Sequence, residues 1–375
     1  MNTSSIIIDQ ISFSLNFLKE INKQSGDSFI CSPISLILPL VILLFGSEGN
    51  TRNEIKNVIS PDLSISQIYN YYSVINEKLK YEDSFITLKT FNKGYITSEY
   101  EIDAKYKDFI DTFFNGSIEQ MPFSNISHSI EKINDMVSNS TNGNIQKIIE
   151  ANEISYGMKF ILISALYFKS DWHVKFVNTD TKITQFYVSQ NESKEVLLMS
   201  LENKFNYFEN DLFQMISLPY LGKNMKMIII LPRIRYTHDN FIEFVLSTNN
   251  FTTALNSMKK EFVKVMIPRF EIQSTIDGTS ILKNLGVVDA FDESKANFNG
   301  ISSNASLYIN DVKQKTKIEV TESGTEAAAI TSVRLSLYSG GDVNNGEVIT
   351  FRADHAFSFY IIDDKFNIYF SGIYK

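Results

Sequence analysis

From about residue 159 onward the chain carries apolar runs with too little polarity to lie on a protein surface, "KFILISALYF" (159–168) and "MKMIIILP" (225–232). A strand with one wet face alternates apolar and polar residues, so near-continuous Ile-rich runs demand strands covered on both faces. "FVKVMIPRFEI" (262–272), "TKIEV" (316–320), "FSFYII" (357–362) and "FNIYFSGIY" (366–374) read as further strands, with Asp363-Asp364-Lys365 as the hairpin turn between the last two. The first 150 residues read as mostly helical, punctuated by the polar turns "GSEGNT" (46–51) and "STNGN" (140–144). Helices first and sheets later indicate an α+β fold. No linker, repeat or like-charge block divides the chain, so residues 1–375 are expected to form a single domain.

Two apolar stretches could be mistaken for membrane segments. "LILPLVILLFG" (36–46) is too short to span a bilayer and contains Pro39, which makes it a buried helix. Near the N-terminus Ile8, Ile11, Leu15 and Leu18 recur at helical spacing, while Asp9, Gln10, Lys19 and Glu20 interrupt any signal-peptide core. The expectation is a mature amphipathic helix, and a protein that is cytoplasmic or exported without a cleaved signal. A net charge of -8 argues against nucleic acid, acidic lipid or heparin-like partners. The single cysteine, Cys31, excludes an intrachain disulfide and is read as a small buried apolar residue. His128, His173, His238 and His355 are scattered, and no HExxH, CxxC, GxSxG or phosphate-loop motif occurs. No metal, no cofactor and no enzymatic activity are expected.

The segment "TESGTEAAAITSV" (321–333) suits no single local state, since Gly324 favours special backbone, Ala327, Ala328 and Ala329 suit a helix, and the β-branched end suits a strand. Extended to residue 339, it has a period-2 set of Thr325, Ala327, Ala329, Thr331, Val333, Leu335 and Leu337 that is small at its start and larger and apolar at its end. That set could slide between existing strands without a large cavity. Yet "SGGDVNNGE" (339–347) is an exposed loop by composition. An edge strand followed by a long turn is the plainer alternative.

"IEVTESGTEAAAITS" (318–332) resembles the proximal hinge of the reactive-centre loop of the serpins, and further landmarks follow in that family's order. They include "FICSPISL" (29–36), "TNGNIQKII" (141–149), "ALYFKSDW" (165–172), "LPYLG" (218–222), "IPRFEI" (267–272), "LGVVDAF" (285–291), "FNGIS" (298–302), "FRADHAFSF" (351–359) and "FSGIY" (370–374). The resemblance spans nearly the whole chain. It implies about nine helices, three β-sheets with a large central one, and a reactive-centre loop over about 322–347. It further implies an inhibitory member of the intracellular, ovalbumin-like kind, or a parasite or viral member without a cleavable signal peptide, working as a monomer. Such proteins trap a serine protease as a suicide substrate: the loop is cut, an acyl-enzyme forms, and the freed strand inserts into the central sheet. The implied hinge is Glu322, Gly324, Thr325, Ala327, Ala328, Ala329 and Thr331.

Counted from Glu322, an insertion span of roughly 17 residues, about 55 Å of strand, ends at Tyr338. Tyr338-Ser339 is therefore the expected scissile bond, with a chymotrypsin-like target. Counting back from "FRADHAF" lands near Asp342, which would suit an Asp-directed protease of another class; Leu337 and Arg334 are further alternatives. A non-inhibitory carrier or chaperone of the same fold remains the competing function. Where serpins carry a polar cluster of asparagines, histidine and serines beneath the sheet opening, the matching positions here are Ser28, Ser164 and Gln314 alongside Ser32 and Ser35. The expectation is a rewired but complete network. Trp172 is carried over as the residue packed where the loop first enters the sheet, with a plain core side chain as the alternative.

Overall fold

The structure, a computed structural model, describes residues 3–80, 85–114, 116–222, 225–303, 306–325 and 348–375. In chain order the helices are α1 (Thr3–Gln24), α2 (Pro33–Gly46), α3 (Gly49–Ile59), α4 (Ile65–Lys80), α5 (Ala104–Phe114), α6 (Ile126–Ser140), the short α7 (His238–Asn240), α8 (Thr248–Ser257) and α9 (Gly278–Asn284). The strands are β1 (Phe29–Cys31), β2 (Ile86–Thr97), β3 (Ile118–Met121), β4 (Phe160–Asp171), β5 (Lys182–Tyr187), β6 (Ser193–Glu209), β7 (Phe213–Pro219) and β8 (Lys226–Pro232). They continue with β9 (Lys259–Pro268), β10 (Phe270–Asp277), β11 (Asp311–Val320), β12 (Gly324–Thr325), β13 (Ile349–Arg352), β14 (Phe357–Ile362) and β15 (Ile368–Tyr374). The α+β class is as expected.

Among the described residues the strands make two hydrogen-bonded sheets. A six-stranded sheet has the order β10-β11-β4-β2-β3, with β12 on β4. A nine-stranded sheet runs β1-β15-β14-β8-β7-β6-β9-β13, with β5 on β6. The 17-residue β6 pairs in turn with β5, β9 and β7, and so joins into one ladder strands that a shorter β6 would leave as two sheets.

Both faces of the six-stranded sheet are covered. On one, Phe91, Tyr95, Ile161, Ile163 and Ala165 pack with Ile133 and Val137 of α6. On the other, the main core includes Leu88, Phe160, Leu162, Leu166 and Phe168, and α2 packs against β2 and β4. This double cover is why β4 lacks the alternation of a half-wet strand. Helix α2 is buried along nearly its whole length, with Pro33 in its first turn and Pro39 inside it.

Two readings of the sequence change. The first 150 residues are not simply helical, because β2 supplies a 12-residue central strand. Its Lys89 and Lys93 gave "ITLKTFNKGYIT" the look of a solvated segment. "FVKVMIPRFEI" is two strands, since the chain leaves β9 at Pro268, crosses Arg269, and joins the other sheet as β10. Cys31 is fully buried, its Sγ 3.1 Å from Ser371 Oγ, and burial pushes the thiol up to about 12.

Candidate functional site: the seam between strands β4 and β11

Strand β11 runs parallel to β4 over eight register pairs, from Asp311 opposite Ile161 to Ile318 opposite Phe168. Above that point the chain reverses. Thr321 N–H donates to Gly324 O at 2.6 Å, Gly324 N–H donates back to Thr321 O at 3.2 Å, and the Thr321 hydroxyl also donates to Gly324 O at 2.9 Å. After the reversal, Gly324 and Thr325 pair antiparallel with Asp171 and Ser170 of β4. A two-residue stub thus occupies the top of the seam. Gly324 has φ of 149°, and a Cβ there would lie 2.2 Å from Ser170 O, so only glycine fits.

Trp172 closes this end. Its backbone N–H donates to Ser323 O and its indole Nε1–H to Thr321 O, both at 2.9 Å. The ring stacks on Tyr220 at 4.6 Å with an interplanar angle of 7°. Glu322 is largely buried; its carbonyl accepts from Phe176 N–H at 2.9 Å, its carboxylate from the Thr181 hydroxyl at 2.8 Å, and Arg269 stands 3.9 Å away.

Lower in the seam, Gln314 and Ser164 are register partners on the α2 side of the sheet. Gln314 Oε1 accepts from Ser32 N–H at 2.9 Å, while its Nε2 donates to Ser32 O and Ser35 Oγ, each at 2.8 Å. The Ser164 hydroxyl donates to Ser35 Oγ at 2.7 Å, and Ser32 Oγ to Tyr369 O at 2.6 Å. All four of these side chains are buried and neutral, and the amide has used both its donors and its acceptor. Ser28 is not part of this cluster. It exchanges hydrogen bonds with the backbone of Lys375, because β1 carries it to the end of β15.

The far side of the loop is held differently. Strand β13 runs parallel to β9 over four pairs, and Asp354 beyond it is gripped by Arg235 at 2.6 Å, Arg352 at 3.0 Å and His355 at 3.0 Å. Burial works against the Asp354 charge, but these hydrogen bonds win and hold its carboxyl down at about 2. Arg235 also stacks on the Tyr187 ring at 3.8 Å.

The sequence matches the profile of the serpin (serine protease inhibitor) family over residues 9–374. This chain belongs to the serpin family. Serpin B6 of Macaca fascicularis is 31% identical over 95% of this chain and 94% of its own length. Ovalbumin-related protein Y of Gallus gallus is 28% identical over 99% of each. Among solved structures, Serpin48, described as a highly specific serpin in the insect Tenebrio molitor, superposes with a TM-score of 0.88 at 27% identity, over 100% of this chain and 98% of its own. Family membership supports protease inhibition in general.

Of the hinge and bond residues read from the sequence, this serpin shows Glu322, Gly324 and the backbone of Thr325; Ala327, Ala328, Ala329, Thr331, Arg334, Leu337, Tyr338, Ser339 and Asp342 lie outside the described residues. Sequence reasoning missed the roles of Thr321, Arg269 and Asp354, although they lie within the landmarks 318–332, 267–272 and 351–359, and missed Thr181, which lies in none; their partners are set only by folding. It also missed Asn92, the register partner of Ser164, and Thr316, the register partner of Leu166. The Asn92 Oδ1 and Thr316 Oγ1 atoms are buried and have no hydrogen-bond partner among the described residues.

Proposed function

We propose that this serpin inhibits a chymotrypsin-like serine protease by suicide-substrate trapping, with Tyr338-Ser339 as the reactive bond. The observation that carries the reading is the Gly324–Thr325 stub, a started strand whose continuation lies along β4. In that antiparallel register each step forward in the loop meets one step back in β4. Continued, it would set Ala327 opposite Phe168, Ala329 opposite Leu166, Thr331 opposite Ser164 and Leu335 opposite Phe160, which are residues of the core-facing side. The small side chains would enter first and the larger apolar ones would reach the far end of β4.

Insertion would exchange the eight β4–β11 pairs for a strand bonded on both sides, which supplies the driving force. Cleavage frees the inserting end, so the acyl-linked protease is carried along with it. Tyr338, three residues past the end of β4 in this register, offers a chymotrypsin-like pocket an aromatic ring and a large apolar area. The hinge residues are Glu322, Gly324, Thr325, Ala327, Ala328, Ala329 and Thr331, and the Ser32, Ser35, Ser164 and Gln314 cluster is the latch that must yield as the seam opens.

The test is to mix the protein with chymotrypsin, run a denaturing gel and sequence the released C-terminal peptide. A complex that survives denaturation and a peptide beginning at Ser339 are expected. Cleavage without a complex would overturn trapping of this protease, and release after Asp342 would move the specificity to an Asp-directed, cross-class target.

A further inference from the structure

Away from the seam, α1, α4 and the β14–β15 turn enclose a cleft of about 320 Å³ that the inhibitory reading does not use. Ile6, Leu63, Val74 and Ile75 give it apolar walls, with Val74 left 56% exposed at the surface of α4. Two cations, Lys78 and Lys365, also line it. The turn that presents Lys365 is braced rather than slack. Asp363 Oδ1 accepts the backbone N–H groups of Lys365 and Asn367 at 2.9 Å each, and Phe366 takes φ of 66° to close the turn. The fully buried Asn367 donates from Nδ2 to Asp363 Oδ2 at 2.8 Å and accepts from the Tyr71 hydroxyl.

The Asp363 carboxylate is therefore turned inward and largely satisfied, and Lys78 stands 3.8 Å from it with 42% of its side chain exposed. Among the described residues the cleft lining holds two lysines and no carboxylate, and Asp364, beside Lys365 in the turn, stands 3.9 Å from Lys226, so the lining is positive beside apolar walls on a chain whose net charge is -8. Such a combination suits a ligand with an apolar body and one negative end, and the volume lies at the small end of ligand clefts.

We propose that this cleft binds a single amphiphilic carboxylate of the medium-chain fatty-acid class, its tail against Ile6, Leu63, Val74 and Ile75 and its head between Lys78 and Lys365. The inference is independent of protease trapping.

Titration calorimetry of the intact protein with decanoate, below its micelle concentration, is expected to show one saturable site. Octanoate, two methylenes shorter, should bind roughly tenfold more weakly. The charge-reversed pair Lys78→Glu and Lys365→Glu should weaken decanoate at least about tenfold, while Lys105→Glu at an exposed position of α5 leaves it unchanged. Urea midpoints of the variants check that folding is retained, and Lys365→Met, which removes charge without reversing it, gives a second reading. Absence of decanoate binding would overturn the proposal, as would equal binding of decyltrimethylammonium or by the charge-reversed protein. Adsorption to phosphatidylglycerol vesicles without stoichiometric decanoate uptake would also overturn it, in favour of a membrane surface.

Discussion

The two ends of the 326–347 segment are tied to the molecule by different chemistry. The leading end, Thr321 to Thr325, is held mainly by backbone bonds: a tight reversal, two register pairs on β4, and carbonyls offered to Trp172 and Phe176, with the Glu322 carboxylate adding one hydrogen bond from Thr181 and an Arg269 neighbour at 3.9 Å. The trailing end is held by charge, with Asp354 clamped between Arg235, Arg352 and His355 after four register pairs of β13 on β9. Backbone pairing can be extended one residue at a time along β4, whereas the clamp on the buried Asp354 is local, closed over it by two half-exposed arginines and the buried His355. Under the proposed insertion, the leading end is the one that would lengthen along β4 while the trailing end keeps its anchor.

The largest expected effect comes from giving the leading end a side chain it cannot hold. Gly324→Val forces a Cβ into Ser170 O, so the stub should be expelled and protease trapping should fall more than about a hundredfold, with cleavage continuing. Trapping undiminished in that variant would show that the stub does not start the insertion. Next is the latch below it. Gln314→Ala strands Ser32 N–H and opens a cavity at a fully buried position, and the urea-unfolding free energy should drop by about 3 kcal/mol. A loss under about 1 kcal/mol would mean that the cluster is not what holds the seam there.

The trailing end can be loosened by acid. Asp354 has a folded pKa depressed to about 2, so its stabilisation is fully present above the ordinary carboxylate pKa near 4 and is lost as pH falls from there through 2. The loss should amount to about 2 kcal/mol and should be absent in Asp354→Asn, which pH-dependent urea titrations of the two proteins would compare. Equal pH dependence in both would remove the charge clamp from the comparison. The smallest effect expected is that of Trp172→Phe. It deletes the indole donor to Thr321 O while keeping an aromatic ring near Tyr220, and should cost about 1 kcal/mol. Faster hydrogen exchange confined to residues 321–325 would accompany it; exchange spreading into β13 would blur the distinction between the two ends.

Much of this molecule was legible in its residues. The Ile-rich runs became doubly covered strands, Asp363 to Lys365 became the turn between β14 and β15, and Leu36 to Gly46 became a buried helix. What misled was polarity without context. Lys89 and Lys93 hid a central strand, since lysine stems can lie along a sheet while their charges reach its margin. Ser28 was grouped with Ser164 and Gln314 by family position, yet β1 pairs with β15 and takes it elsewhere.

By itself the sequence determined the α+β class, the family, and the demand for glycine at the start of a segment whose small residues alternate. Those are matters of local pattern, and local pattern is written in order along the chain. Only the tertiary structure decided that Gly324 meets Ser170, that Gln314 bridges Ser32 and Ser35 at the start of α2, and that Asp354 collects Arg235, Arg352 and His355. Each of those depends on which strands become neighbours and in what register, and a one-residue slip would turn every side chain to the opposite face.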